Sequence, residues 1–139
     1  MSVTMSAPDL EAFMGREFPQ VAGDFDVEEV GDRRIRVRLR VGERHLRPGG
    51  TVSGPAIFAL ADVSVYLALL AMIGPEALAV TTSCSIDFMR KPAARTDLIA
   101  ECRLLKLGRV LAVGEVLIHS DGMHEPVARA SLTYSIPPK

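Results

Sequence analysis

Two features of the sequence could build a chemical site. Between Ala56 and Ile73 nearly every residue is apolar, yet Asp62 stands near the middle of the run. A carboxylate buried without a partner is costly, so it finds a hydrogen bond, shifts its pKa or faces a wet cleft. Perturbed carboxylates gather at functional sites, where they act as general bases or nucleophiles. The alternative is an Asp bonded to nearby backbone, or one exposed on a partly covered helix. The second feature is the loop Gly49-Gly50-Thr51-Val52-Ser53-Gly54. Its glycines let the backbone approach a ligand closely, and Gly54 falls where a helix begins. A helix N-terminus carries free N–H groups and partial positive charge, which suits an oxyanion. Pro55 has no N–H of its own, leaving that of Gly54 as the donor. Eight residues separate Gly54 from Asp62, roughly 12 Å along a helix rising about 1.5 Å per residue. One reacting carbonyl cannot touch both within one chain. If both serve one reaction, they come from two copies related by a two-fold axis.

The elements that must position these residues can be read from periodicity. A short amphipathic helix over Asp9–Phe18 is expected, ended by Pro19, followed by strands Phe25–Val30 and Arg33–Val41. In the second strand Ile35, Val37, Leu39 and Val41 alternate with Arg34, Arg36, Arg38 and Arg40. That pattern marks a strand with one buried face. The arginines read as a solvated face or a subunit contact paired with Asp26, Glu28 and Glu29, in preference to a nucleic-acid stripe. A helix from about Gly54 to Ile73 follows, stopped by Gly74-Pro75. Four strands close the chain: Leu78–Met89, Leu98–Leu107, Val110–His119 and Val127–Ile136. Their short separators imply antiparallel hairpins or neighbours. A helix apolar on every side must be enclosed, and the sheet is the only element able to enclose it. The architecture is therefore α+β, one long central helix wrapped by a curved antiparallel sheet, in a single domain over residues 1–139.

Composition narrows the functions. With 16 basic and 17 acidic residues and a net charge of −1, no basic excess calls for nucleic acid. The apolar run approaches membrane-spanning length, but Asp62 within it and the absence of flanking basic clusters favour a core helix over a membrane span. No signal peptide is visible at the start. Cys84 and Cys102 lie in apolar strands without metal-type spacing, which reads as buried free thiols and a cytoplasmic location. His45, His119 and His124 are scattered, so neither a metal nor another cofactor is called for. Serine and cysteine nucleophile schemes also lack support: Ser53 and Ser64 have no adjacent His, and no G-x-S-x-G elbow occurs.

Gly50-Thr51-Val52-Ser53-Gly54-Pro55 followed by Phe58-Ala59-Leu60-Ala61-Asp62 resembles the hotdog-fold acyl-CoA thioesterases of the phenylacetate-degradation type. Those proteins read G-T-x-H-G-G, then an apolar stretch ending in L-A-D. Ala79-Val80-Thr81 through Ile86-Asp87-Phe88-Met89-Arg90-Lys91-Pro92-Ala93 and the hairpin Leu104–Arg109 continue the likeness, which spans about Arg33 to Pro137. The resemblance implies hydrolysis of an acyl-CoA to free acid and CoA. Asp62 matches the family's catalytic carboxylate, a general base or nucleophile, and Gly54 the glycine whose N–H polarises the carbonyl. Thr81 falls where some relatives place a hydroxyl that orients the attacking water. Thr51, Arg90, Lys91, Lys106 and Arg109 become candidate substrate contacts, the four cations for the phosphates of CoA. The family's habit of forming dimers, or dimers of dimers, with shared sites agrees with the spacing above. Three positions depart from the pattern. Ser53 replaces the family's His, Pro55 its second Gly, and Arg47 falls near an Asn or Gln that assists the carbonyl. Ser53 can donate a hydrogen bond or merely cap the helix, and Arg47 can support an oxyanion or pair with a surface carboxylate. The departures keep open a second reading, a non-catalytic acyl-CoA-binding hotdog protein. A hydratase, which would need a His paired with Asp62, fits less well.

Overall fold

The computed structural model describes residues 2–138. Its axis is a helix over Gly54–Ile73, preceded by α1 (Ala7–Glu17) and the single turn α2 (Pro19–Ala22), which makes the long helix α3. The strands are β1 (Phe25–Gly31), β2 (Arg34–Leu39), β3 (Val80–Phe88), β4 (Leu98–Leu107), β5 (Leu111–Ser120) and β6 (Pro126–Ser135). They form one antiparallel sheet in the order β1-β2-β4-β5-β6-β3. This is the expected α+β arrangement, a long helix held in a curved sheet. α3 is apolar and long enough to cross a membrane, yet its own sheet buries most of it. Leu60, Val65, Leu67, Leu69 and Leu70 are among its fully buried side chains.

Two expectations change. The first helix begins at Ala7, not Asp9, because Ser6 caps it: Ser6 Oγ accepts from the Asp9 N–H and Asp9 answers with a bond from the Ser6 N–H. Pro19 ends this helix as expected, and it also opens α2, since a proline is tolerated in a first turn. The larger correction concerns β3. A short separator implied that β3 and β4 are neighbours, but β3 pairs with β6 at the far edge of the sheet. The segment 89–97 carries Pro92 and a left-handed Arg95 (φ 53°), whose N–H donates to the Gly50 carbonyl at 3.3 Å. It therefore bonds to the glycine loop instead of folding back as a hairpin.

The arginine row meets acidic partners. Arg34 bonds Glu29 at 2.5 Å, Arg38 bonds Glu28 at 2.6 Å and Asp121 at 2.8 Å, and Arg40 lies 3.1 Å from Asp26. This outer face is electrically balanced and leaves little for a polyanion. Both cysteines are free thiols; Cys102 is buried and its pKa is pushed up to about 12, by burial first and then by Glu115.

Helix and sheet approach closely at Gly114 of β5. A Cβ there would lie 2.9 Å from both γ-methyls of Val65, closer than side chains pack. Gly114→Ala is expected to destabilise the fold by about 1–3 kcal/mol. A lower urea midpoint at unchanged m-value would register it.

Candidate active site

Asp62 sits on the third turn of α3, half-buried, facing the start of β3 and the end of β6. Thr81 Oγ1 donates to Asp62 Oδ1 at 2.5 Å. The Tyr134 hydroxyl donates to the same oxygen at 2.6 Å and lies 3.1 Å from the Asp62 backbone carbonyl oxygen. Thr81 and Tyr134 stand directly opposite one another across the β3–β6 ladder. The register slips between Thr81 and Ser83, with Thr82 the extra residue of a bulge. Bulges re-aim side chains and are common beside active sites. Here the bulge lets Thr81 face the helix together with Cys84 and Ile86, which lie inward further along the strand.

Tyr134 is 3% exposed, and its ring packs against Tyr66 at a centroid distance of 6.1 Å. Tyr66 in turn meets the edge of Phe18 at 6.4 Å, and its hydroxyl donates to the Ala77 carbonyl at 3.1 Å. These rings border a hollow of about 410 Å³ that reaches Asp62, with Glu17 and Gln20 at its lip. Burial, and then the neighbouring charge of Asp62, push the Tyr134 phenol well above its usual range, so it stays a donor. The Cys84 thiol is raised for the same two reasons.

Gly54 lies at the other end of this half of the helix. Ser53 is the N-cap, its Oγ accepting from the Ala56 N–H at 3.3 Å, so the capping alternative holds for this side chain. The loop before it takes its shape from Gly49 (φ 101°) and Gly50 (φ 82°), in the left-handed region that favours glycine. His45 fixes the loop's base: its carbonyl accepts from the Ser53 N–H at 2.8 Å, and its Nδ1 accepts from the Gly42 N–H at 2.8 Å. Burial, and then the charge of Arg44, lower the His45 pKa and favour the neutral ring that this bond requires. A cleft of about 550 Å³ runs past Gly54, bordered by Arg47, Thr51, Phe88, Arg90 and Lys91.

The expected site residues thus fall into separate groups. Asp62 and Thr81 meet in one hollow, while Gly54, Thr51, Arg47, Arg90 and Lys91 share the other. Arg47 is exposed, and its backbone N–H donates to the Thr51 carbonyl at 2.9 Å. Arg90 is engaged with the Pro126 carbonyl and lies 3.5 Å from Glu125. Lys106 and Arg109 are not brought to either hollow. Arg109 borders an apolar depression with Ile73, Val110 and Ile136 at the C-terminal end of α3, and Lys106 is exposed near the end of β4. Tyr134 was not singled out from the sequence. The signal was present: Leu132, Tyr134 and Ile136 alternate with Ser131, Thr133 and Ser135. A tyrosine on a buried face needs a partner for its hydroxyl.

Residues 49–127, more than half of the chain, match the family model described as the Thioesterase superfamily. A candidate esterase of Pseudomonas aeruginosa is 30% identical over 115 residues, covering 83% of this chain and 84% of that protein. The crystal structure of a candidate thioesterase from Silicibacter sp. TM1040 superposes with a TM-score of 0.93 at 56% identity, over 99% of this chain and 96% of that one. A single-residue mutant of the phenylacetic acid degradation protein PaaI from Thermus thermophilus superposes with a TM-score of 0.73 at 28% identity, over 86% of this chain and 99% of that one. The chain therefore belongs to the thioesterase superfamily, hydrolases of thioesters built on the hotdog fold.

Proposed function

We propose that this protein hydrolyses an acyl-CoA thioester to the free acid and CoA, at a site completed by two copies of the chain. The observation that carries the reading is Asp62, the one acidic residue of an otherwise apolar helix, held by two hydroxyls at the edge of an open hollow. Acting as base, Asp62 takes a proton from water as the water attacks the thioester carbonyl; acting as nucleophile, it attacks directly and water then releases the acid. The N–H of Gly54, first residue of α3, receives the carbonyl oxygen as negative charge develops. The CoA thiolate leaves and takes up a proton.

The second copy is supported by the free edge of β3. This strand ends the sheet, runs nine residues without proline, and carries exposed Val80 and Phe88, with Phe58 and Met89 exposed nearby. Such an edge invites pairing with another strand. With Thr82 outside the ladder, a two-fold axis at Ser85 sets Cys84 opposite Ile86 and Thr81 of one chain opposite Phe88 of its partner. Thr81 touches Asp62, and Phe88 packs 3.6 Å from a Cβ placed on Gly54. Self-pairing of β3 thus carries Asp62 of one chain toward Gly54 of the other, which removes the separation along one helix. The Met89 N–H donates to the Val127 carbonyl, so by alternation Ser85 and Asp87 also bond β6 and Cys84 and Ile86 turn their N–H groups to the open edge. Cys84→Pro, which deletes an edge N–H, is expected to convert the oligomer to monomer and to lose activity in parallel. Light scattering coupled to size-exclusion chromatography, with the activity assay alongside, checks this.

The deciding experiment follows thiol release from a panel of aryl, short-chain and medium-chain acyl-CoAs. Release from one class supports the reading and ranks the acyl group. Binding of CoA or acyl-CoA without release favours the non-catalytic reading, which the capping role of Ser53 and the exposed side chain of Arg47 support.

A further inference from the structure

We propose that Tyr134 is a positioning residue: together with Thr81 it occupies Oδ1 of Asp62 and presents Oδ2 as the oxygen that meets water or the thioester. The inference rests on the role given to Asp62 above. Its basis is a convergence of hydrogen bonds. An ionised carboxylate oxygen has two lone-pair directions, and Oδ1 receives donors from Thr81 at 2.5 Å and Tyr134 at 2.6 Å. Among the described residues no side-chain donor reaches Oδ2. The Tyr134 hydroxyl also lies 3.1 Å from the backbone carbonyl of Asp62 itself. One hydroxyl therefore spans the side chain and main chain of the same residue, and so ties the carboxylate's torsion to the helix.

The support behind that hydroxyl is stiff. Tyr134 is buried, its ring is packed on Tyr66, and Tyr66 is pinned at its own hydroxyl by Ala77. Thr81 and Tyr134 are ladder partners, so the distance between the two donors is set by the sheet and not by flexible side chains. The phenol is held above its usual titration range by burial and by Asp62, so it donates throughout the pH range in which a hydrolase works. A role as a pocket wall alone would require the ring and not the hydroxyl, whereas the hydroxyl directs its contacts to Asp62.

Tyr134→Phe keeps the ring and removes the donor. It is expected to lower kcat by about 10- to 100-fold, the worth of a hydrogen bond to a charged group, with KM within about twofold of wild type. Thr81→Val should behave similarly, and Thr81→Ser should restore most of the rate. High-resolution crystal structures of wild type and Tyr134→Phe give a second readout, with Asp62 expected in one orientation in the first and spread over two in the second. A kcat within twofold of wild type, or a loss residing wholly in KM, overturns the proposal. So does a Tyr134→Phe crystal in which Asp62 keeps its single orientation. If the wild type itself releases no thiol, the hydrolase reading falls, and the orientation of Asp62 in the two crystals alone decides the positioning role.

Discussion

Asp62→Asn is expected to lower kcat for thioester hydrolysis by about 1,000-fold while leaving CoA affinity within a few-fold of wild type. The magnitude is that of removing a positioned general base or nucleophile. The substitution is unusually clean at this position. Asn retains an acceptor oxygen for the Thr81 and Tyr134 hydroxyls that meet at Oδ1. It loses only the capacity to take a proton or form an acyl intermediate. Stability should therefore change little, and the effect should fall on turnover. Thiol release at saturating substrate, beside calorimetric titration with CoA, separates the two. A variant retaining more than a tenth of wild-type kcat would show that Asp62 is held in the hollow for another purpose.

Gly54→Pro is expected to cost about 100-fold or more in kcat, the worth of one oxyanion donor. Alanine cannot make this test, because it keeps the N–H; a Cβ at Gly54 would meet nothing closer than Phe88 at 3.6 Å. Proline can, because the position already suits it. Gly54 is the first residue of α3, where the N–H lies outside the helical ladder, and Ser53 is extended (φ −75°, ψ 156°), as a residue before proline must be. Residue 54 is helical and already precedes Pro55, so a second proline adds some strain and a modest fall in melting temperature is expected. The pair of variants then tests the shared site. Asp62→Asn and Gly54→Pro chains are each nearly inactive alone. On the proposed shared site, Asp62 of one chain meets Gly54 of the other, so each mixed dimer would hold one intact site and one doubly defective site. Random assembly should return roughly a quarter of wild-type activity. No recovery, with mixed dimers demonstrated by mass, would place both groups in one chain's own site.

The parts of the site legible in the sequence were those that broke a local rule. Asp62 in an apolar helix and a glycine-rich loop ahead of Pro55 are anomalies against periodicity, and each marks one of the two hollows. The α+β wrap followed from a helix with no polar face. Strand order was less legible. The connection from β3 to β4 holds short-loop residues, but whether it turns back or crosses the sheet is decided by long-range bonds such as Arg95 N–H to Gly50, which no local pattern records. Tyr134 was hidden for a related reason: its strand was recognisable, but the partner of its hydroxyl lies 72 residues away. The cations show the converse limit. Arg90, Lys91, Lys106 and Arg109 share a positive charge and an exposed setting, yet the fold sends two to the Gly54 cleft and two elsewhere. Surface charge carries little information about where a chain will place it.

The extra residue in β3 has a consequence for how this strand can vary in length. Because Thr82 stands outside the ladder, the residues before it and those after it keep opposite parity, and both Thr81 and Ile86 still point at the helix. Straightening the bulge without shortening the chain would act in space as a frameshift acts in a gene: either Thr81 turns outward, or the whole apolar face of the strand does. Deleting Thr82 removes the extra residue together with the bulge, restores plain alternation, and leaves Thr81, Cys84 and Ile86 on one face. The strand therefore carries one spare residue at Thr82, and its loss is expected to be absorbed with Thr81 still opposite Tyr134.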